Sequence, residues 1–200
     1  MSSKVWKQFI PFYFYTVLAL GLGVAAILSE TRSPTSILLL FLTGVLTWGL
    51  IEYALHRFVF HFDAQSEKGR KFVYGMHLSH HLDPKNVDDL FAGLRLSLPL
   101  AISYCLLAWA LTRSWQATVY LFIGLTAGYF SYEFLHYQAH HRSPRLGVLR
   151  YLKKYHLLHH HKSFAVHFGV TSPVFDCLFG TFHSNREKRT VRTASVSDQL

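Results

Sequence analysis

Four long apolar stretches constrain the fold of this chain more than any other feature. They run from Phe9 to Leu28, Ile37 to Leu55, Leu94 to Leu111 and Ala117 to Leu135. A helix needs about 20 mainly apolar residues to cross a bilayer. Short polar segments separate the first stretch from the second and the third from the fourth. The sequence therefore predicts an all-α integral membrane protein with four transmembrane helices in two hairpins.

The composition is also that of a membrane protein. Charged residues make up 16% of the chain, below the roughly 25% that is usual in soluble domains. The net charge of +9 would suit nucleic acid, but the basic residues flank the apolar stretches, as they do in the cytoplasmic loops of membrane proteins. We therefore expect no nucleic-acid partner. A secretory signal peptide is the alternative for the first stretch, but its apolar core is only about 7–15 residues long.

The basic residues predict how the helices are oriented. Two lie before the first stretch, six lie from Arg57 to Arg95, and ten follow the fourth, whereas the opposite side has only Arg32 and Arg113. Lysine and arginine in short loops mark the cytoplasmic side. Both termini and the central loop are thus expected in the cytoplasm, in a bacterial inner membrane or the endoplasmic reticulum. Residues 1–183 are expected to form one domain, and the polar, non-periodic residues 184–200 a disordered tail.

Histidines in four clusters predict a metal centre at that cytoplasmic face. Ten form the set, namely His56, His61, His77, His80, His81, His136, His140, His156, His159 and His160. Neutral imidazole is a common ligand of transition metals. An even number of predicted crossings separates the clusters, so all ten can converge. His141, His161, His167 and His183 lie outside the pattern and are read as ordinary surface or core residues.

The spacing within each cluster suggests how the rings are directed. Both HxxHH triplets place their rings at i, i+3 and i+4, which share one face of a helix. Each triplet could therefore direct all three rings at one point. His56 and His61 are five residues apart and would diverge by roughly 140° on an ideal α-helix. That pair requires a helix end, a kink or two different metals.

Ten imidazoles exceed the ligands that one ion can use, so the sequence predicts two ions. Structural zinc is usually held by four ligands that often include cysteine, but Cys105 and Cys177 have no zinc spacing. A nitrogen-rich, open pair of irons that activates dioxygen is the better interpretation, although zinc could occupy the same ligands. Glu52, Glu133 and Asp176 are candidates to accept the second ring N–H of a ligand histidine and so orient it.

The order HxxxxH, HxxHH, HxxxH and HxxHH resembles the fatty acid hydroxylase branch of the membrane sterol desaturase and hydroxylase superfamily. The segments HYQAHH at 136–141, YLKKYHLLHH at 151–160 and FGVTS at 168–172 are most similar to the fatty acid 2-hydroxylases that act on sphingolipid acyl chains. The likeness covers about residues 35–183. It implies four membrane helices under a cytosolic helical cap that holds a dinuclear metal site on the ten histidines named above.

The resemblance also implies a reaction and its partners. Dioxygen and two electrons would insert one oxygen atom next to the carboxyl carbon of a long acyl chain, as a free acid or linked to a sphingolipid, that enters from the membrane. Some eukaryotic members carry a fused haem domain marked by His-Pro-Gly-Gly, and this chain lacks that motif. A separate cytochrome b-type or ferredoxin-like protein is therefore the expected electron donor. It could dock on Lys153, Lys154 and Lys162, although the positive-inside bias alone also explains those lysines.

Two other functions remain open at this stage. The first is a sterol or carotenoid hydroxylase or desaturase of the same superfamily, because the cavity that selects the substrate is not visible in the motifs. The second is a metal transporter without enzymatic activity. Transporters hold their ligands near the middle of the bilayer, whereas the histidines here follow the ends of the spans, so transport is the weaker alternative.

Overall fold

The computed structural model of the chain describes residues 7–182, and within that range it is helical, without a β-strand. The α-helices are α1 (Ile10–Leu28), α2 (Pro34–Leu55), α3 (Glu67–Val73), α4 (Ser79–Leu82), α5 (Leu94–Thr112), α6 (Trp115–His141), α7 (Gly147–His161) and α8 (Val174–Leu178). Single π-helical turns occupy His56–Phe60 and Tyr74–Leu78, and a 3-10 helix spans Val87–Asp89. The all-α prediction is confirmed. His183 and the predicted disordered tail lie outside the described residues.

Short turns join α1 to α2 and α5 to α6. Ser33 caps α2 by accepting a hydrogen bond from the Ser36 amide at 3.3 Å, and Pro34 occupies the first turn, where its missing N–H is not needed. Ser114 caps α6 in the same way. The Arg32 guanidinium donates to the Ser114 hydroxyl at 2.7 Å. Both turns therefore lie together at one end of the helices.

The bundle is organised around α6, which contacts α1, α2, α5 and α7. Gly124 and Gly128 lie one turn apart on α6 and face Gly44 and Trp48 of α2. A Cβ atom on Gly124 would collide with the Phe41 carbonyl oxygen, and one on Gly44 with the Leu121 carbonyl oxygen. Small residues four apart allow membrane helices to approach this closely.

Three helical segments are long and apolar enough to cross a membrane among the described residues, namely Ile10–Leu28, Pro34–Phe60 and Val87–Thr112. Their outer faces expose large apolar side chains such as Val17, Leu46 and Leu106. The fourth predicted span coincides with α6, whose sequence also carries hydroxyl, glutamate and histidine side chains. Because α6 is enclosed by its neighbours, it needs less apolar surface, and its crossing of the membrane stays a prediction.

One end of the bundle carries the histidine layer, which comprises residues 56–92 and 136–182. The end of α6, the helices α3, α4, α7 and α8, two π-helical turns and the irregular segment between α7 and α8 make up this layer. The 56–60 and 74–78 turns contact one another, α7 packs on α6, and α8 packs on α2. These contacts bring four parts of the chain, far apart in sequence, to the same end of α2 and α6.

Candidate metal centre

The ten predicted histidines converge into two adjacent groups of five. His56, His61, His77, His81 and His159 form site A, and His80, His136, His140, His156 and His160 form site B. In each site, one ring nitrogen from every member lies within 4.8 Å of all the others. The sites touch, since the rings of His81 and His160 stack with centroids 4.0 Å apart. Either group could hold a metal ion.

A π-helical turn explains how His56 and His61 serve the same site. The His61 amide donates to the His56 carbonyl at 3.2 Å, a hydrogen bond that spans five residues. The wider turn brings residues i and i+5 close to one face, and the two ring centroids are 5.1 Å apart. The pair therefore lies at a helix end, as one of the three expectations had it, with His61 as the C-cap of the π-helical turn, and it is not divided between two metals.

Each HxxHH triplet is divided between the sites, contrary to the expectation that its three rings share one target. His77 and His81 belong to site A while His80 belongs to site B; His156 and His160 belong to site B while His159 belongs to site A. On an α-helix, residues i and i+4 differ by about 40°, whereas i+3 lies about 100° from i+4. One triplet can therefore supply two ligands to one ion and the third to its neighbour.

The spacing of the ring nitrogens suits metal binding. In site A, His77 Nε2 lies 2.9 Å from both His56 Nε2 and His81 Nε2. In site B, His140 Nε2 lies 2.8 Å from His156 Nε2 and 3.1 Å from His80 Nε2. Two imidazole nitrogens at right angles about 2.1 Å from one ion would be about 3.0 Å apart, whereas a tetrahedral ion would separate them by about 3.4 Å.

The backbone shows which nitrogens carry lone pairs. His56 Nδ1 donates to the Phe168 carbonyl at 2.5 Å, and His159 Nδ1 donates to the Val166 carbonyl at 2.8 Å. A neutral ring that donates through Nδ1 presents a lone pair at Nε2. The two Nε2 atoms face His77 and His61 respectively, each at 2.9 Å. Clustered lone pairs of this kind repel one another and are satisfied by a cation, so the donor set fits a metal pair.

The rings are also neutral near pH 7. Burial lowers the pKa of His61 to about 4. Burial, followed by repulsion from neighbouring histidines, lowers the pKa of His159 to about 3 and that of His81 to about 2. Neutral imidazole is the form that binds metal. Folding therefore prepares the ligand form before any ion arrives.

The three candidate carboxylates are buried, but their hydrogen bonds differ from the expected ones. Glu52 accepts from the amides of Val170 and Thr171 and from the Thr171 hydroxyl. Asp176 accepts from the amides of Phe168 and Gly169. Neither carboxylate accepts a ring N–H from a ligand histidine among the hydrogen bonds of residues 7–182. Backbone amides are the stronger competitors here, because an unpaired buried N–H is costly.

Glu133 lies on the site B side and behaves similarly. Its Oε1 accepts from the Ala92 amide at 2.8 Å, and its side chain is fully buried. The Tyr129 hydroxyl donates to the Ala92 carbonyl at 2.7 Å. Glu133 and Tyr129 therefore hold the chain segment that enters α5. Support of a histidine thus runs through the backbone for Glu52 and Asp176, a route that the side-chain spacing alone did not indicate, whereas Glu133 holds no ligand histidine in this way.

The remaining described histidines stay outside both groups. His161 is exposed, His141 is partly exposed, and His167 is buried against Tyr155 with ring centroids 4.4 Å apart. Phe164, which the sequence did not single out, is half-exposed and contacts the rings of His61 and His81. This phenylalanine therefore covers the outer side of site A.

A cavity of about 830 Å³ reaches both sites. His77 of site A and His136 of site B form part of its wall, together with Tyr132. Much of its remaining wall is apolar, including Leu90, Phe91, Leu94, Leu96 and Phe60. Most ligand cavities have this character, with apolar walls and a few polar groups at the reacting end. A long apolar molecule could lie here with one carbon atom close to both groups of histidines.

Comparison with known proteins gives consistent matches. The fatty acid hydroxylase family profile matches residues 41–181. The dihydroceramide fatty acyl 2-hydroxylase FAH2 of Arabidopsis thaliana is 35% identical over 186 residues, which are 90% of this chain and 75% of that protein. The ceramide very long chain fatty acid hydroxylase SCS7 of Saccharomyces cerevisiae is 35% identical over 185 residues, but the chain spans only 47% of its length. A solved structure of full-length scs7p, in which only the hydroxylase domain is visible, superposes with a TM-score of 0.78 at 32% identity, covering 88% of this chain and 67% of that one.

Proposed function

The chain belongs to the fatty acid hydroxylase family, and on that basis we propose that it is a membrane monooxygenase that hydroxylates a long-chain fatty acyl group. Membership of this family confirms the resemblance that was inferred from the spacing of the histidines, and it places the chain among oxidoreductases. The position we propose for the new hydroxyl is the carbon next to the carboxyl carbon. The acyl group would be a free acid or part of a sphingolipid.

The observation that carries this proposal is the cavity whose wall includes a histidine from each site. Its apolar wall would hold an acyl chain, and His77 and His136 mark the end at which the reacting carbon would lie. Exposed apolar faces on α1, α2 and α5 would surround this opening with lipid. A substrate that is already dissolved in the membrane could then reach the site without crossing water.

The ten histidines would hold two iron ions through their grouped ring nitrogens, site A and site B binding one ion each. When bound, the iron pair would supply the reduction of dioxygen with two electrons, so that one oxygen atom enters the C–H bond and the other leaves as water with two protons. The protein's own contribution is to keep the ten rings neutral, seven of them buried and three partly buried, with their ring nitrogens grouped at two points. Zinc could replace iron in purified protein, since such nitrogen sites accept both ions.

The membrane arrangement we propose has four crossings, with α6 as the fourth. The histidine layer and both termini would then lie in the cytoplasm, in a bacterial inner membrane or the endoplasmic reticulum. Electrons would come from a separate cytochrome b-type or ferredoxin-like protein. Lys154 and Lys162 are exposed, while Lys153 donates to the Arg142 carbonyl at 2.6 Å, so the first two are the better docking contacts for an acidic carrier.

Lipid mass spectrometry of cells that express the chain tests the reaction. We expect 2-hydroxylated acyl chains with the wild-type protein and none with His80→Ala or His159→Ala, which each remove a fully buried ring from one site. Changed sterols or carotenoids without 2-hydroxy acyl chains would replace this proposal with the sterol or carotenoid alternative. Metal uptake into vesicles without any oxidised lipid would instead support a transporter.

A further inference from the structure

We propose that sites A and B bind their ions with unequal strength, and that Glu52 and Asp176 make site A the tighter one. The inference rests on the proposed function only in that each group of five histidines holds one ion. Neither carboxylate would touch the metal. Each would act as a positioning residue, because it fixes the chain segment whose carbonyl groups orient two ligands of site A.

The two carboxylates capture four consecutive backbone amides, an arrangement that we call the carboxylate clamp. Asp176 accepts from Phe168 N at 2.9 Å and Gly169 N at 2.7 Å. Glu52 accepts from Val170 N and, at 3.0 Å, from Thr171 N. Asp176 is fully buried and Glu52 nearly so. Each of these buried amides finds its partner in a carboxylate oxygen, and a buried N–H without a partner is costly, so residues 168–171 are held firmly.

The clamped segment holds two rings of site A. The Phe168 carbonyl accepts from His56 Nδ1, and the Val166 carbonyl accepts from His159 Nδ1. Between them, His167 adopts a left-handed backbone with φ of 63°, a conformation that a non-glycine residue keeps only when its surroundings impose it. The His167 amide is bound to the Thr181 carbonyl at 3.1 Å. The orientations of the His56 and His159 rings are therefore fixed by this segment.

Further hydrogen bonds close the clamp from the other side. The Thr181 hydroxyl donates to Asp176 Oδ1 at 2.7 Å, and the Tyr53 hydroxyl lies 3.0 Å from that of Thr181. Arg57 donates to the Tyr53 hydroxyl at 2.6 Å. Tyr53 belongs to the last turns of α2 and is almost fully buried. The chain of contacts therefore anchors Asp176 to the same helix that carries Glu52 and leads into His56.

Site B lacks comparable support. The buried Nδ1 atoms of His80, His136, His156 and His160 have no hydrogen-bond partner among the described residues. Glu133 holds Ala92, and the nearby Leu90 carbonyl faces His136 without reaching hydrogen-bond geometry. In site A, His81 is the described ring with a buried Nδ1 that has no partner, whereas the Nδ1 atoms of His56 and His159 are bound to carbonyl groups.

A hydrogen bond at the outer nitrogen fixes the tautomer and the orientation of a ligand ring, and it makes the ring a stronger donor. Loss of such a partner typically lowers metal affinity by about 10–100-fold. Two rings of site A have this support, whereas site B has the weaker contact of the Leu90 carbonyl with His136. We therefore expect the ion in site B to leave first.

Metal release from the purified protein tests whether the two sites bind their ions with unequal strength. The protein is loaded with two equivalents of Zn²⁺ and mixed with an excess of a chromogenic chelator. We expect one equivalent to leave in a fast phase and one in a slow phase. His160→Ala should remove the fast phase, because His160 belongs to site B. Asp176→Asn should speed the slow phase by about 10–100-fold.

The matched control is Glu133→Gln, which weakens the carboxylate that holds Ala92 and should leave the slow phase unchanged. Thr181→Val and Tyr53→Phe are milder variants that speed the slow phase to a smaller extent, and they serve if Asp176→Asn does not fold. A single release rate for both ions, loss of the slow phase in His160→Ala, or an unchanged slow phase in folded clamp variants would each overturn the inequality. Failure to bind two ions at all would instead overturn the dinuclear centre proposed above.

Discussion

The helix bundle and the histidine layer obey opposite packing rules. The bundle turns large apolar side chains such as Val17 and Leu106 outward and places glycines where α2 meets α6. The histidine layer does the reverse and buries polar groups completely, among them His80, His159 and Asp176. Helix association inside a bilayer depends on close packing, whereas buried polar groups depend on finding partners. The bundle should therefore be sensitive to added volume, and the histidine layer to the loss of a proton or an ion.

The largest expected effect is in the bundle. Gly124→Val adds a branched side chain where even a Cβ atom would collide with the Phe41 backbone. Since a backbone cannot move aside as a side chain can, we expect a loss of more than about 3 kcal/mol, the usual upper range for overpacking. Folded protein should no longer be recovered by size-exclusion chromatography in detergent.

Gly21→Val is the matched control for that change. Gly21 lies on α1, and an added Cβ atom there meets nothing within 4 Å. This variant should be recovered at the wild-type level with its full metal content. Equal recovery of both variants would mean that α2 and α6 do not need their close approach, and the contrast between the two layers would fail on the bundle side.

The next effect is confined to the histidine layer. His80→Ala and His159→Ala each remove one ligand, so bound metal should fall and product formation should drop by more than about 100-fold, beyond the loss expected for an outer support residue. Helix content by circular dichroism should change little, because the bundle does not depend on the ions. Metal analysis of the purified variants provides the direct readout.

His161→Ala is the control for the ligand variants, since this exposed histidine belongs to neither site. It should keep wild-type metal and product levels. Full activity in the His80 or His159 variant, or complete loss of helicity in both, would contradict the separation of the two layers.

Much of the contrast between the helix bundle and the histidine layer could be predicted from the sequence. Apolar stretches of membrane-spanning length predicted α1, α2 and α5, since hydropathy depends on composition alone. The ten histidines were identified because their spacing has no use in ordinary packing. They converge, as predicted from an even number of crossings between clusters.

The other features of the metal centre depend on tertiary contacts, which no local sequence pattern indicates. The division of each triplet between two sites follows from the direction of the helix axis. The membership of His61 in site A depends on a π-helical turn. The carboxylate clamp uses backbone amides more than 100 residues from Glu52, for instance Val170. Backbone groups carry no side-chain signal, so only the folded chain reveals their partners.

Acid should affect the histidine layer before the bundle. Burial lowers the pKa of His61 to about 4 and, with added repulsion from His61, that of His159 to about 3, whereas an unfolded histidine titrates near 6.5. Below about pH 6.5 the unfolded state therefore binds more protons than the native state, and stability falls with decreasing pH by up to about 1.4 kcal/mol per pH unit for each such ring. Above that pH these groups leave stability unchanged.

Hydrogen exchange of the metal-free protein at pH 7.5 and pH 5.5 measures this effect. Amides of α7 should exchange faster at the lower pH, after correction for intrinsic rates, while those of α6 from 117 to 128 should not. Addition of Zn²⁺ should restore protection at pH 5.5 in part, because the ion competes with protons for the same nitrogens. Uniform loss of protection in both helices would show that the two layers unfold as one unit.

The smallest effect comes from the end of the bundle that lies away from the histidines. Ser33→Ala removes the N-cap hydroxyl of α2, which accepts from the Ser36 amide, and should cost about 1 kcal/mol. For a chain of this size that corresponds to a fall in Tm of about 2–4 °C.

Ser131→Ala is the control, because its exposed hydroxyl bonds only to a carbonyl of its own helix and its loss should leave Tm unchanged. Metal content and the two release phases should be the same in both variants as in the wild type. A change in zinc release caused by Ser33→Ala would show that the bundle transmits strain to the sites along α2, and that the two layers are coupled after all.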